Sequence, residues 1–169
     1  MRKILLVDGY NVIRLTPPYR DLAQADLDSA RVALVSDVAA FAGDEWDATV
    51  VFDGGNNRHS TGEPHEASGV TVVFSRYGTE ADTVIEALAR GAREGGAHVE
   101  VVTSDAQTQW AVFGRGVARR SSAEFAGELR SEEAAWREHS PHGEVRSTIE
   151  DRIDADVRER LARWARGEE

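Results

Sequence analysis

The chain has 169 residues, a formal net charge of −10 and no cysteine. That length suits one domain. The charge excludes a generically basic nucleic-acid surface, and the missing cysteine excludes a disulfide framework and a thiolate metal site. Hydrophobic residues make up 41% and charged residues 30%, the balance of a soluble globular protein. No stretch approaches the ~20 apolar residues of a membrane span. Met1-Arg2-Lys3 and the apolar run behind it have a signal-like beginning, but Asp8 interrupts that run too early. A cytoplasmic location is expected.

Ile4-Leu5-Leu6-Val7 reads as a buried strand, because parallel strands covered on both faces are apolar throughout. Gly9-Tyr10-Asn11 reads as a turn. Thr16-Pro17-Pro18 reads as a loop, since a proline disfavours helix at the residue before it. A helical apolar period from about Asp26 to Ala42 follows, ended by Gly43. Residues 48–52 form a second strand. Residues 53–69 are a long polar loop, a length that is usually functional in a compact domain.

Residues 70–74 form a third strand. A helix is expected from Glu80 to Glu94, with Ile85, Leu88, Ala89 and Ala92 on one face and Gly95-Gly96 as its stop. Residues 98–103 form a fourth strand. A short helix over 105–112 and a fifth strand at Val117-Ala118 come next, then terminal helices over 122–138 and 148–166. Alternating strands and helices predict a doubly wound, mostly parallel α/β sheet of four to five strands between helical layers. A core of about residues 1–120 and a helical extension over 121–169 make up the single domain.

An aspartate follows nearly every strand. Asp8 ends the first, Asp53 the second, and Asp105 the fourth, while Asp82 opens the helix after the third. Ligands of open parallel sheets bind outside the carboxyl ends of the strands. Two carboxylates about 4 Å apart repel by roughly 4 kcal/mol at an effective dielectric near 20. A hard divalent cation would neutralise such a cluster, often with phosphate as co-ligand. Taken singly, each residue has a plain structural role available: turn former, Asp-Gly turn, or helix cap. Four such roles falling on one sheet edge favour a shared site. Asn11 adds an oxygen-bearing side chain three residues after Asp8.

Rival chemistries have no motif. The chain lacks a Gly-x-x-x-x-Gly-Lys-Ser/Thr phosphate loop, a Gly-x-Gly-x-x-Gly turn after the first strand, and a zinc-ligand spacing. Ser104 has no evident histidine base. A small-molecule phosphohydrolase with a DxD nucleophile is disfavoured by Asp8-Gly9-Tyr10.

Leu6-Val7-Asp8-Gly9-Tyr10-Asn11, Val51-Phe52-Asp53, Glu80-Ala81-Asp82-Thr83-Val84-Ile85-Glu86 and Thr103-Ser104-Asp105 together resemble the NYN domain, a branch of the PIN-like nucleases. Gln109-Trp110-Ala111-Val112-Phe113-Gly114-Arg115-Gly116 and Arg163-Trp164-Ala165-Arg166-Gly167 look like the YacP-like subfamily. The resemblance covers essentially the whole chain. It implies a PIN-like α/β/α fold and endoribonuclease activity with Mg²⁺ or Mn²⁺, acting on mRNA in association with translating ribosomes. It carries the acidic set over to Asp8, Asp53, Asp82 and Asp105, with Asn11 as polar partner.

On that reading Asp8, Asp82 and Asp105 hold the metal, while Asp53 and Asn11 orient water or the outer shell. Thr83 stands where the subfamily commonly has a second acid, and Glu80 supplies one on the other side. RNA needs local positive charge on an acidic protein. The candidates are Arg58 and His59 in the long loop, Arg76 at the active edge, and Arg115, Arg119 and Arg120 after the fourth strand. The alternative is a non-catalytic RNA- or ribosome-binding module on the same fold.

Overall fold

The computed structural model describes residues 1–104, 116–139 and 153–169. The short helix expected over 105–112, together with Asp105 and Arg115, lies outside the described residues. Strand β1 (Lys3–Asp8) sits inside a six-stranded sheet. It pairs in parallel with β2 (Asp47–Phe52) on one side and β5 (His98–Val102) on the other. Adding β3 (Pro64–Ala67), β4 (Val70–Phe74) and β6 (Val117–Arg120) gives the order β3-β4-β2-β1-β5-β6. Among the described strands only β3 runs antiparallel, against β4.

Period two along the strands divides the core. Leu5, Val7, Val50, Phe52, Val72 and Phe74 face helix α3 (Leu27–Ala42) together with Phe125 and Leu161. These last two belong to α5 (Ser122–His139) and α6 (Ala155–Ala165), so the C-terminal helices share the core of the sheet. Leu6, Val51, Val73, Val99 and Val101 point the other way, onto Ala81, Ile85 and Ala89 of α4 (Ala81–Glu94). Those three residues form an i, i+4, i+8 stripe. Leu88, expected on that face, is instead exposed. Helices on both faces of a mostly parallel sheet make three layers.

Two stretches differ from their sequence expectations. Gly9-Tyr10-Asn11 opens a helix, α1 (Gly9–Leu15), because Asp8 caps it by accepting the Asn11 N–H. A second helix, α2 (Pro17–Ala25), begins at the two prolines. The first helical turn needs no intrahelical N–H, and proline already has the helical φ. The extended residue is Thr16, before the pair. The long loop also contains a strand. Ser68 and Gly69 have φ of 55° and 79°, the two consecutive left-handed residues of a tight hairpin turn. That turn folds β3 back on β4 and brings the sheet to six strands.

The connections locate a crevice. From β1 the chain moves through β2 to β4 in one direction across the sheet. It then returns over the opposite face by α4 to β5, beyond β1. The reversal places a switch point between the carboxyl ends of β1 and β5, where open α/β sheets bind ligands.

Candidate active site

A cleft of about 960 Å³ opens at that switch point, with Asp8, Asn11, Asp53, Asp82 and Ser104 in its lining. Strand direction explains the gathering: β1 and β2 run parallel, so Asp8 and Asp53 leave the sheet at the same edge. Asp82 arrives from the first turn of α4. Asp8 is half-buried. Burial, the charge of Asp82 and, more weakly, that of Asp53 push its carboxyl up to about 6, against the lowering effects of the Asn11 N–H and Arg14. A carboxylate raised this way reports uncompensated negative charge in a partly dry site.

Asp53 is tied down from both oxygens. Oδ1 accepts the Gly55 N–H at 2.8 Å and Oδ2 accepts the Ala81 N–H at 3.3 Å. It therefore fixes the start of α4, one residue before Asp82. The loop behind it is packed without slack: a Cβ on Gly54 would lie 2.4 Å from the Ser75 carbonyl oxygen. On the other side of Asp8, a Cβ on Gly9 would lie 2.4 Å from the Phe52 ring. Only glycine lets α1 start this close to β2.

Asn11 is buried and joins three chain segments. Its Oδ1 accepts the Ser104 N–H at 2.9 Å and the Ser122 hydroxyl at 2.7 Å. The Ser122 N–H in turn donates to Ser104 Oγ at 3.0 Å. Asn11 thus pins the exit of β5, immediately ahead of Asp105, to the start of α1 and of α5. Asp105 itself is outside the described residues.

The cleft also has residues that sequence reasoning did not place in a site, Tyr10, Arg14, Arg20 and Gln24, beside Glu80. Tyr10 and Arg14 are four residues apart on α1, a relation visible only once Gly9–Leu15 is read as a helix. The Tyr10 hydroxyl accepts two N–H bonds from buried Arg31, at 2.7 and 3.0 Å. Arg31 lies over the Tyr10 and Phe74 rings and pairs with Asp28. Burial, partly offset by Arg31, raises the Tyr10 hydroxyl above its ordinary value.

Five of the six expected RNA-binding residues lie among the described residues. Arg58, His59, Arg76, Arg119 and Arg120 do not line the cleft. Arg58, His59, Arg76 and Arg119 are exposed. Arg120 pairs with buried Glu100 and with Glu128 and covers the Phe41 ring, so its charge balances Glu100. Arg115 is outside the described residues. His65 of β3 stacks on Trp164 of α6, with centroids 4.4 Å apart and planes at 9°.

The donor set around Asp8 is made of oxygens and carries excess negative charge, which suits a hard cation. Among the described residues, no three His, Cys, Asp or Glu side chains are grouped closely enough to hold one. The third carboxylate assigned from sequence, Asp105, falls outside that set. No helix among the described residues is long and apolar enough to cross a membrane.

The chain is 31% identical over 128 residues to the protein YacP of Bacillus subtilis strain 168, covering 76% of this chain and 75% of that one. Two crystal structures of Rae1 (YacP) from Bacillus subtilis superpose on it. A mutant form gives a TM-score of 0.67 at 30% identity, covering 96% of this chain and 98% of that one. The other gives 0.65 at 30% identity, covering 97% and 95%. The profile of the YacP-like NYN domain matches residues 5–166. With sheet, cleft and profile in agreement, the chain belongs to the YacP-like NYN domain family, whose fold is nuclease-like.

Proposed function

We propose that this chain is a metal-dependent endoribonuclease that hydrolyses RNA phosphodiester bonds, with mRNA on the translating ribosome as its substrate. One observation carries the reading. Asp8 and Asp82, 74 positions apart in the sequence numbering, come close enough at the switch-point cleft for one charge to raise the other's pKa. A structural cap does not require a like-charged neighbour.

Asp8, Asp82 and Asp105 would hold Mg²⁺ or Mn²⁺, which when bound lowers the pKa of a water and offsets charge developing on the phosphate. The chain's own residues do the positioning. Asp53 fixes the first turn of α4, and so the placement of Asp82. Asn11 holds the exit of β5 against α1. Both act as supporting residues behind the ligands, the kind whose loss typically lowers metal affinity or activity 10–100-fold. Arg14 stands by Asp8 and supplies local positive charge in an acidic cleft.

An RNA-cleavage assay with and without Mn²⁺ tests the proposal. Cleavage that requires the metal and disappears in Asp82→Asn supports it. Tight RNA binding without cleavage at any metal concentration would replace it with the binding-module reading.

A further inference from the structure

The cleft has a wall that the acidic cluster does not explain. Leu15 ends α1 and Leu27 begins α3, and they are 46% and 39% exposed. Both line the same cleft as Asp8 and Asp82. Apolar side chains gathered in an open cleft and rimmed by charge mark a ligand surface more than a solvated one. Two arginines of that cleft accompany them. Arg14 has no salt-bridge partner among the described residues. Among the described residues Arg20 pairs only with Asp21, at 3.8 Å and with both side chains at least half exposed, a pairing of little strength. Cations beside an apolar face are the elements of a single-strand site: phosphates on the arginines, a base against the carbon surface.

We propose that this wall is a nucleotide subsite, in which Leu15 and Leu27 receive one nucleobase while Arg14 and Arg20 hold the adjoining phosphates. The inference rests on the nuclease reading above and adds how the strand is held. An acidic cluster by itself repels RNA, so the strand needs cations in the same cleft. Arg14 lines the same cleft as Asp8 and Asp82, which puts the phosphate contact beside the reacting position. Packing against leucine uses the base's flat face and leaves its hydrogen-bonding edge unread. The subsite therefore selects an unstacked, unpaired base and not a particular one.

The test uses the full chain carrying Asp82→Asn, so that binding is measured without cleavage. The probe is a short labelled single-stranded RNA, in which an abasic residue is moved along the strand. Leu15→Ser with Leu27→Ser should weaken binding about tenfold, as expected for the loss of one apolar contact. Leu15→Met with Leu27→Met should restore it. An abasic residue at one position should cost the parent the same factor and cost the serine variant nothing. Arg14→Gln and Arg20→Gln should each reduce the log–log salt slope by roughly 0.7. Thermal melts check that every variant is folded. If the serine variant does not fold, the arginine variants and the abasic series in the parent decide. Unchanged affinity in the variants, or equal abasic losses in both backgrounds, overturns the subsite. A wild-type chain that binds no RNA overturns the nuclease reading itself, whereas one that cleaves RNA while ignoring these variants overturns the subsite alone.

Discussion

Asp8 and Asp26 occupy the same local position, the N-cap of a helix, and accept a backbone N–H from the first turn at 3.4 and 3.2 Å. Their surroundings then diverge. Asp26 also accepts the Ser29 hydroxyl at 2.5 Å and pairs with Arg158 of α6 at 2.6 Å. Those bonds, led by Ser29, lower its pKa. Asp8 is half-buried beside Asp82 and Asp53, and its pKa rises to about 6. One capping aspartate ties α6 to α3, and its charge is satisfied. The other contributes charge that the fold leaves uncompensated, and that excess is the property a catalytic site needs.

The largest effect expected from breaking this contrast is on activity. Asp82→Asn should reduce metal-dependent RNA cleavage by at least about 100-fold, beyond what supporting residues cost. Single-turnover cleavage at saturating Mn²⁺ measures it. Activity within a few-fold of wild type would show that the repulsion at Asp8 has no catalytic purpose.

Stability gives the next effect, with a sign opposite to intuition. Asp8→Asn keeps a good N-cap and removes the buried charge. In metal-free buffer at pH 7–8 it should stabilise the fold by up to about 3 kcal/mol, the equivalent of roughly two pKa units. The sign follows from proton binding. The folded carboxyl, with a pKa of about 6, binds more protons than the unfolded one, near 3.9, throughout the window between them. Asp8's contribution to stability should therefore fall as pH rises from about 4 to 6, so the gain from Asp8→Asn over wild type should grow across that window. Urea melts across pH measure both quantities. A destabilised variant would mean that Asp8 serves the fold as Asp26 does.

Asn11→Ala sharpens the boundary between the two kinds of residue. It leaves the Ser104 N–H and the Ser122 hydroxyl without their acceptor, at a cost of about 1–3 kcal/mol. Cleavage should also drop 10–100-fold, mainly through weaker apparent Mn²⁺ affinity, because the exit of β5 is no longer pinned. A metal titration of activity separates this from simple unfolding: higher Mn²⁺ should recover part of the rate.

Asp26→Asn is the smallest change and the mirror of Asp8→Asn. It keeps the cap but loses the charge opposite Arg158, so it should destabilise by up to about 1 kcal/mol. The loss should shrink as pH falls through the depressed folded pKa, because the wild type then loses the same charge. Cleavage by the folded variant should be unchanged. Urea melts at pH 7 and below 4 check the sign.

Much of this arrangement could be read along the chain. The strands expected at 4–7, 48–52, 70–74 and 98–103 coincide with β1, β2, β4 and β5, because strands covered on both faces are rich in apolar, β-branched residues. The helix expected over 26–42 became α3 with Asp26 as its cap. Less legible were α1 and α2. Gly9 and the proline pair read as breakers, and only their place in a first turn made them helix starters. The strand β3 was hidden in a polar stretch whose pairing with β4 depends on Ser68 and Gly69 turning together. Arg120 had the composition of an RNA contact, but buried Glu100 lies across the β5–β6 pair and takes its charge.

Chain direction in a parallel sheet is a local property. Once the strands were identified, the sequence by itself determined that Asp8 and Asp53 would leave the sheet at one edge. Charge state is not local. Whether an aspartate is a satisfied cap or a strained acid depends on what burial removes and which charges approach it, and those come from distant segments. Arg158 reaches Asp26 across 132 positions, and Ser104 reaches Asn11 across 93. The tertiary structure alone decided that Asp26 would meet an arginine and Asp8 another aspartate, because Coulomb energy follows distance and local dielectric, neither of which is written in residue order.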